Sequence, residues 1–122
     1  MRIFTTKGVT RFARRERITN ASLIEATARA EAGIIGGGLI KQRVARPDQG
    51  RSGGFRMIVA YQAAGRAVFL YGFAKNDRDF IGDNELQALR IIGANWLATS
   101  AEIIGQALND GTLQEIDRDN DQ

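Results

Sequence analysis

Lys41 and Arg43 stand two apart in a β-prone run, and Arg56 opens the next such run after the segment Gly50-Arg-Ser-Gly-Gly54. Side chains alternate across a strand, so Lys41 and Arg43 share one face. With Arg56 beside that face, three cations gather on a small exposed patch. Like charges this close repel by roughly 1 kcal/mol or more per pair near a surface. Binding an anion between them offsets that cost. The Ser52-Gly53-Gly54 loop adds backbone amides able to face an anion. Lys75, Arg78 and Phe80 follow the third apolar run. Cations and an aromatic ring just past a strand end suit a nucleotide phosphate and base. The competing reading is a solvated sheet face, where long basic side chains cover apolar strands.

Histidine and cysteine are absent from the 122 residues. Thiol and imidazole catalysis, a disulfide framework and a Cys-based zinc site are therefore excluded. A site for zinc, copper or non-haem iron is disfavoured, and neither metal nor cofactor is expected. What remains is lysine, arginine, carboxylate and hydroxyl chemistry, which points to the handling of phosphate. The net charge of +3 conceals a polarity: residues 1–78 hold fifteen Lys/Arg against five Asp/Glu, whereas residues 79–122 hold two against nine. A basic body with an acidic tail suits a polyanionic partner met by the first two thirds of the chain. The longest apolar stretch, Ala67 to Ala74, is too short to span a bilayer, and the first residues lack the apolar core of a signal peptide. A cytoplasmic protein with no membrane partner is the expectation.

The elements that must position these residues follow from periodicity. Ile3 and Phe4 read as a short strand. Residues 6–17 read as a helix with Val9, Phe12 and Ala13 on one side and Arg11, Arg14, Arg15 and Arg17 mostly on the other. A second helix spans 20–32, with a Ser22/Glu25 capping box and Gly33 as its stop. Residues 36–45 alternate like a strand. A turn at 47–50 and the Gly/Ser/Arg segment lead to a strand over 55–62, and a tight Ala63-Ala-Gly65 connection leads to another over 66–75. Asp83 reads as the N-cap of a long helix through Ala98 with Leu86, Leu89, Ile92, Gly93, Trp96 and Leu97 on one face. Thr99 and Glu102 form a capping box for a last helix, whose face is Ile103, Ala107 and Leu108 and whose stop is Gly111. Leu113 to Asp117 reads as an edge strand or docked tail. Helices, consecutive strands, then helices signal an α+β fold with a small antiparallel sheet packed on helices, one face covered and one available. One domain over 1–118 with a frayed tail over 119–122 is expected.

The order Gly-Leu-x-Lys41-x-Arg43-Val, Gly-Arg-Ser-Gly-Gly-Phe-Arg56, a hairpin, then Tyr-Gly-Phe-Ala-Lys75-Asn-Asp resembles the RelE/HigB-like toxins of bacterial type II toxin–antitoxin systems, across residues 36–81. The resemblance implies a compact RelE-like fold related to microbial ribonucleases. It also implies an endoribonuclease that enters the ribosomal A site and cuts messenger RNA, with an antitoxin, often of helix-turn-helix type, as partner. Carried over by position, Lys41 and Arg43 match the family's basic strand pair and Arg56 its phosphate-contacting arginine. Lys75 matches the lysine that ends the last hairpin strand, and Arg78 a basic loop position. Arg46, Arg51, Lys75, Arg78 and Phe80 are the expected RNA-binding residues, with Lys41, Arg43 and Arg56 the catalytic ones. Two departures stand out: Asn76 replaces a basic residue of some members, and Phe80 stands near where some carry a tyrosine.

The expected reaction is attack of a ribose 2′-hydroxyl on its own 3′ phosphate, without metal. Arg56 and Arg43 would hold the dianionic transition state and Lys41 would shuttle a proton, with Asp77 or Asp79 a weaker candidate base. Without histidine, isolated catalysis should be feeble, and a ribosome that orients the RNA would supply the positioning. An acidic antitoxin segment is expected either on apolar rims around Val9, Phe12 and Leu113 or on the basic face. Rival readings are a relative of the same fold that poisons DNA gyrase, a non-catalytic nucleic-acid-binding module, and a degenerate toxin kept only as an antitoxin's partner.

Overall fold

A computed structural model describes residues 1–29, 34–36, 38–46, 50–62, 65–74 and 81–116, with the backbone alone at 34–36, 45–46 and 50–53. In chain order the elements are β1 (Arg2–Thr6), α1 (Lys7–Glu16), α2 (Asn20–Ala28), β2 (Ile34–Gly36), β3 (Leu39–Arg46), β4 (Gly50–Tyr61), β5 (Arg66–Ala74), α3 (Asp83–Ala98), α4 (Ala101–Asp110) and β6 (Leu113–Ile116). The expected frayed tail and the stop at Gly33 lie outside the described residues.

Hydroxyl caps set three helix starts. Thr6 Oγ1 accepts from the Val9 amide, Thr19 Oγ1 from the Ser22 amide and Ser100 Oγ from the Ile103 amide. The second helix is therefore capped by Thr19 and the fourth by Ser100, one to three residues from the positions expected for Ser22 and Thr99. In α3 the cap is Gly82, whose amide donates to Glu85 Oε1 at 3.2 Å. Asp83 is the first helical residue, where its charge still favours the helix N-terminus. Gly111 ends α4 at φ 82°, a left-handed conformation that suits glycine.

The six strands form one sheet in the order β2-β3-β4-β5-β1-β6. β3, β4 and β5 are an antiparallel meander, but β1 inserts beside β5 in parallel register, Arg2 opposite Arg66 and Thr5 opposite Phe69. β6 closes the far edge against β1, antiparallel. The sheet is thus mixed within an α+β fold, where sequence pattern alone gave an antiparallel one.

Both faces are covered in part, which corrects the expectation of one open face. Ile40, Val44, Phe55, Met57 and Phe69 pack with Val9 and Phe12 of α1 and with Leu23 and Ala26 of α2. On the opposite face Leu39, Ile58, Ala60, Val68 and Leu70 meet Ile104 and Ala107 of α4, with Leu86, Leu89, Trp96 and Leu97 of α3 packed at the margin. Ile104, not Ile103, is the inward residue of α4, and Ile92 of α3 is exposed. A Cβ at Gly93 would lie 3.0–3.2 Å from atoms of Leu39, Ala60 and Leu70. Glycine there lets α3 rest directly on the sheet at that level.

Candidate functional site

The site is built on three neighbouring strands. Arg43 of β3 lies directly opposite Arg56 of β4, and Lys41 lies opposite Ile58. Directly opposed residues in antiparallel strands point to the same face, with Cβ atoms roughly 5 Å apart. On the other side of β4, Arg56 is opposite Phe73 and Ile58 opposite Tyr71. One sheet face therefore carries, across three strands, Lys41 and Arg43, then Ile58 and Arg56, then Tyr71 and Phe73. It is the face on which α3 sits four residues away, at Leu39 and Ala60.

Lys41 and Arg43 are exposed. Arg56 is only 9% exposed, which corrects the picture of three cations on an open patch. A central-strand residue flanked by Arg43 and by the buried Phe73 is screened on both sides. The arrangement is a sunken guanidinium with two exposed cations at its rim. Nη1 of Arg56 is buried and makes no hydrogen bond, while the residue as a whole is held by other interactions. A second correction concerns the glycine-rich segment. Gly50 to Gly54 belongs to β4, with Gly50 opposite Arg46. Pairing with Arg46 at the end of β3 overrides the weak strand propensity of glycine at Gly50. Extended backbone with a register irregularity against β3, between the Val44–Phe55 and Arg46–Gly50 pairs, therefore precedes Arg56.

Two polar side chains that sequence reading passed over fix the rim. Gln42 lies between Lys41 and Arg43 but faces the other way, is buried, and donates from Nε2 to the Ala26 carbonyl at 2.6 Å. Arg29, ion-paired to Glu25, donates from Nη2 to the Arg43 carbonyl at 2.7 Å. The end of α2 thus grips β3 at residues 42 and 43, between the exposed pair and at its second member. The signal was present in part, since a glutamine on the otherwise apolar Ile40/Val44 face needs a partner when buried. At the other end of the sheet, Arg66 Nη1 donates to the carbonyls of Trp96 (2.8 Å) and Thr99 (2.7 Å). A cation on the last carbonyls of α3 complements the helix dipole and ties α3 to β5.

Tyr71 was also missed. It is half-buried, its ring 5.9 Å from that of Phe73, and it places a phenol on the cationic face. Alternation along β5 would have found it once the register was known. The backbone of Arg46 and Arg51 lies in β3 and β4, whereas their side chains, and all of Lys75, Asp77, Arg78, Asp79 and Phe80, lie outside the described residues. Val9, Phe12 and Leu113, expected as apolar rims, are 1%, 8% and 2% exposed. They are core and offer no rim to a partner.

Such a face can neutralise an anion of phosphate size and stack an aromatic ring beside it. A family model described as "RelE toxin of RelE / RelB toxin-antitoxin system" matches residues 1–116, nearly the whole chain. The chain belongs to the RelE toxin family. It is accordingly a toxin of a toxin–antitoxin system, and a cognate antitoxin is its partner. RelE-family toxins are generally endoribonucleases. Comparison with curated proteins gives no match. Among the described residues, no helix of this RelE-family chain is long and apolar enough to cross a membrane.

Proposed function

We propose that this toxin is a metal-independent endoribonuclease that cuts messenger RNA on the ribosome, with Arg56, Arg43 and Lys41 as its catalytic cations. The observation that carries the reading is the register: Arg43 opposite Arg56, with Lys41 two residues along the same face. A phosphodiester whose phosphorus is attacked by the neighbouring 2′-hydroxyl passes through a dianionic, phosphorane-like state. Arg56 and Arg43 stabilise that charge, each contributing about 10²–10³ in rate if it acts as a preorganised donor. Lys41 gives a proton to the departing 5′-oxygen, leaving a 2′,3′-cyclic phosphate. All three are cations, so none of them removes the 2′-hydroxyl proton. We assign its relay to the phenol of Tyr71, on the same face, whose oxygen takes the 2′-hydroxyl proton as its own O–H proton passes to solvent water.

A phenol is a weak base near neutral pH, so chemistry by the isolated protein is slow and an externally imposed RNA geometry has much to add. A ribosome holding the message in line supplies that geometry, which favours a ribosome-dependent reaction. Arg46, Arg51, Lys75, Arg78 and Phe80 extend the contact along the RNA in this reading. The antitoxin, expected to be of helix-turn-helix type from the resemblance, would neutralise the same face with carboxylates.

The experiment is cleavage-site mapping on translating ribosomes with purified protein. Wild type is expected to give discrete 5′ ends, Arg56→Ala none, and Tyr71→Phe ends formed roughly 10²-fold more slowly. Undiminished cutting by Arg56→Ala would sink the assignment. Binding that weakens steeply with salt but yields no product would replace it with a non-catalytic RNA-binding module.

A further inference from the structure

Solvation should turn the charges of α3 outward and its isoleucines inward, and at one point the helix does the reverse. Arg90 is the only charged residue between Leu86 and Ala101. It is half-buried, whereas its neighbours Ile91 and Ile92 are 59% and 43% exposed. Arg90 belongs to the stripe Leu86, Arg90, Gly93, Leu97, at i, i+4, i+7 and i+11. Gly93 of that stripe rests on the sheet at Leu39, Ala60 and Leu70. The one cation of this stretch is thus spent on the flank of the packed face, where desolvation disfavours a charge.

Contacts along α3 fix where that flank lies. A Cβ on Gly38, the residue before β3, would lie 3.4 Å from Cδ1 of Leu97. The side of α3 bearing Leu97 and Arg90 therefore leans toward β3. The last turn of α3 is tied through the Trp96 and Thr99 carbonyls to Arg66, the first residue of β5. Gly93 rests four residues further along β5, at Leu70, so α3 runs antiparallel to β5 and its early turns extend toward Phe73. Leu86 and Leu89 accord with that direction, packing as Tyr71 does against the cluster that includes Ile58. Arg90 is three residues before Gly93, roughly 4.5 Å along the helix axis. Lys41 is two residues beyond Leu39, roughly 7 Å along β3. Helical side chains lean toward the N-terminus, which carries the Arg90 guanidinium to the level of Lys41, over the face that Arg43 and Arg56 share.

We infer that Arg90 is a fourth cation of the site, borne by the helix instead of the sheet, and that it holds a phosphate adjoining the one that is cut. This rests on the nuclease reading above. The ordinary task of a helix arginine, an ion pair one turn away, has no candidate here, because those positions are Leu86, Gln87, Gly93 and Ala94. Asp83, the nearest carboxylate of α3 on that side, is two turns away, roughly 10 Å. Other interactions hold the residue in place. A further like charge beside Lys41 adds repulsion, which a bound phosphodiester relieves. An RNA strand, charged at every unit, suits a row of cations running from Arg56 through Arg43 and Lys41 to Arg90.

The test compares wild type, Arg90→Met and Arg90→Lys in binding a short single-stranded RNA across a salt series and in cutting message on ribosomes. Methionine keeps an apolar stem over the sheet and removes the charge. In Arg90→Met the plot of log affinity against log salt should flatten by about 0.7, and affinity at 0.15 M salt should fall about tenfold. Cleavage efficiency should drop by a similar factor, chiefly through the apparent KM, and Arg90→Lys should recover most of both. Thermal melting checks folding. If Arg90→Met melts early, Arg90→Gln repeats the comparison, and instability of both would overturn the inference by making Arg90 a structural residue. Wild-type slope and efficiency in Arg90→Met, beside an inactive Arg56→Ala, would overturn it and leave the nuclease reading standing. Loss of binding to purified antitoxin with the RNA slope unchanged would also overturn it, assigning Arg90 to the antitoxin. Wild-type protein that cuts no message would overturn the nuclease reading, and with it the claim that the phosphate adjoins a cut one.

Discussion

Replacing Gly72 by alanine tests how β5 is held against α1, and so how Tyr71 and Phe73 are aimed. A Cβ at this position would lie 2.8 Å from Cδ2 and 2.9 Å from Cε2 of Phe12, and 3.2 Å from Cε of Met57. Phe12 cannot simply swing away. It is 8% exposed and packs edge-on against Phe55, ring centroids 5.4 Å apart at 85°. Relief of at least about 0.6 Å, from 2.8 Å to ordinary contact near 3.4 Å, must come from moving the ring or lifting α1 off the sheet. Overpacking of this kind costs about 1–3 kcal/mol. At this chain length each kcal/mol lowers Tm by roughly 3–5 °C, and the urea slope should be unchanged. Phe12→Leu removes the clashing ring edge at the expense of the aromatic pair, itself worth about 0.5–1.5 kcal/mol beyond area. The double variant Gly72→Ala/Phe12→Leu should therefore be more stable than the sum of the single losses by at least about 1 kcal/mol. Equilibrium urea unfolding of all four proteins closes the cycle. Additivity within about 0.5 kcal/mol, or a neutral Gly72→Ala, would refute the claim that glycine is required here by contact with Phe12.

Other predictions follow from the rim and its supports. Arg43→Gln should cut ribosomal cleavage by about 10²–10³ with the fold intact, since the Arg29 bond goes to the backbone carbonyl of residue 43; mapped message ends and a melting curve read the two effects. Gln42→Ala should lower stability by about 1–3 kcal/mol in urea unfolding, from a lost buried hydrogen bond and lost volume, and should slow cleavage because Lys41 and Arg43 lose their shared anchor. Arg66→Met should cost about 2 kcal/mol by the same measurement as two charge-assisted bonds to Trp96 and Thr99 are lost, with hydrogen exchange accelerating first at the end of α3. Asp110 has its carboxyl pKa lowered, first by the Thr112 hydroxyl, then by the Thr112 amide, with Lys7 adding the smallest share against a small opposing effect of burial. A lowered folded pKa stabilises above the unfolded value and is lost as pH falls through the folded one. Asp110→Asn should therefore lower stability in the neutral range and flatten the acid limb of the stability–pH curve below about pH 4, where the two proteins converge.

Much of this molecule was legible because local periodicity and local chemistry agreed. Alternation put Lys41 and Arg43 on one face, and the apolar stripe of α1 fixed which side Val9 and Phe12 bury. What escaped depended on partners distant in sequence. That Arg56 sinks between Arg43 and Phe73 requires the registers of two hairpins. That Gly50–Gly54 is strand requires the end of β3 to be waiting for it. The parallel pairing of β1 with β5 leaves no local trace, because Ile3 and Phe4 would look the same in any orientation. Ile103 and Ile104 are adjacent on a short helix, and only the position of the sheet decides which turns inward.

The place of β1 in the sheet also constrains how the toxin comes into being. Residues 2–6 leave the peptidyl transferase early, yet their partners are residues 66–69 and 113–116. Until residues 66–69 have emerged β1 has no neighbour, and until residues 113–116 follow the sheet ends at a raw edge on β1. A nascent chain is therefore unable to assemble this sheet beside a ribosome that has yet to translate residues 113–116. Synthesis itself provides a delay in which an antitoxin can arrive.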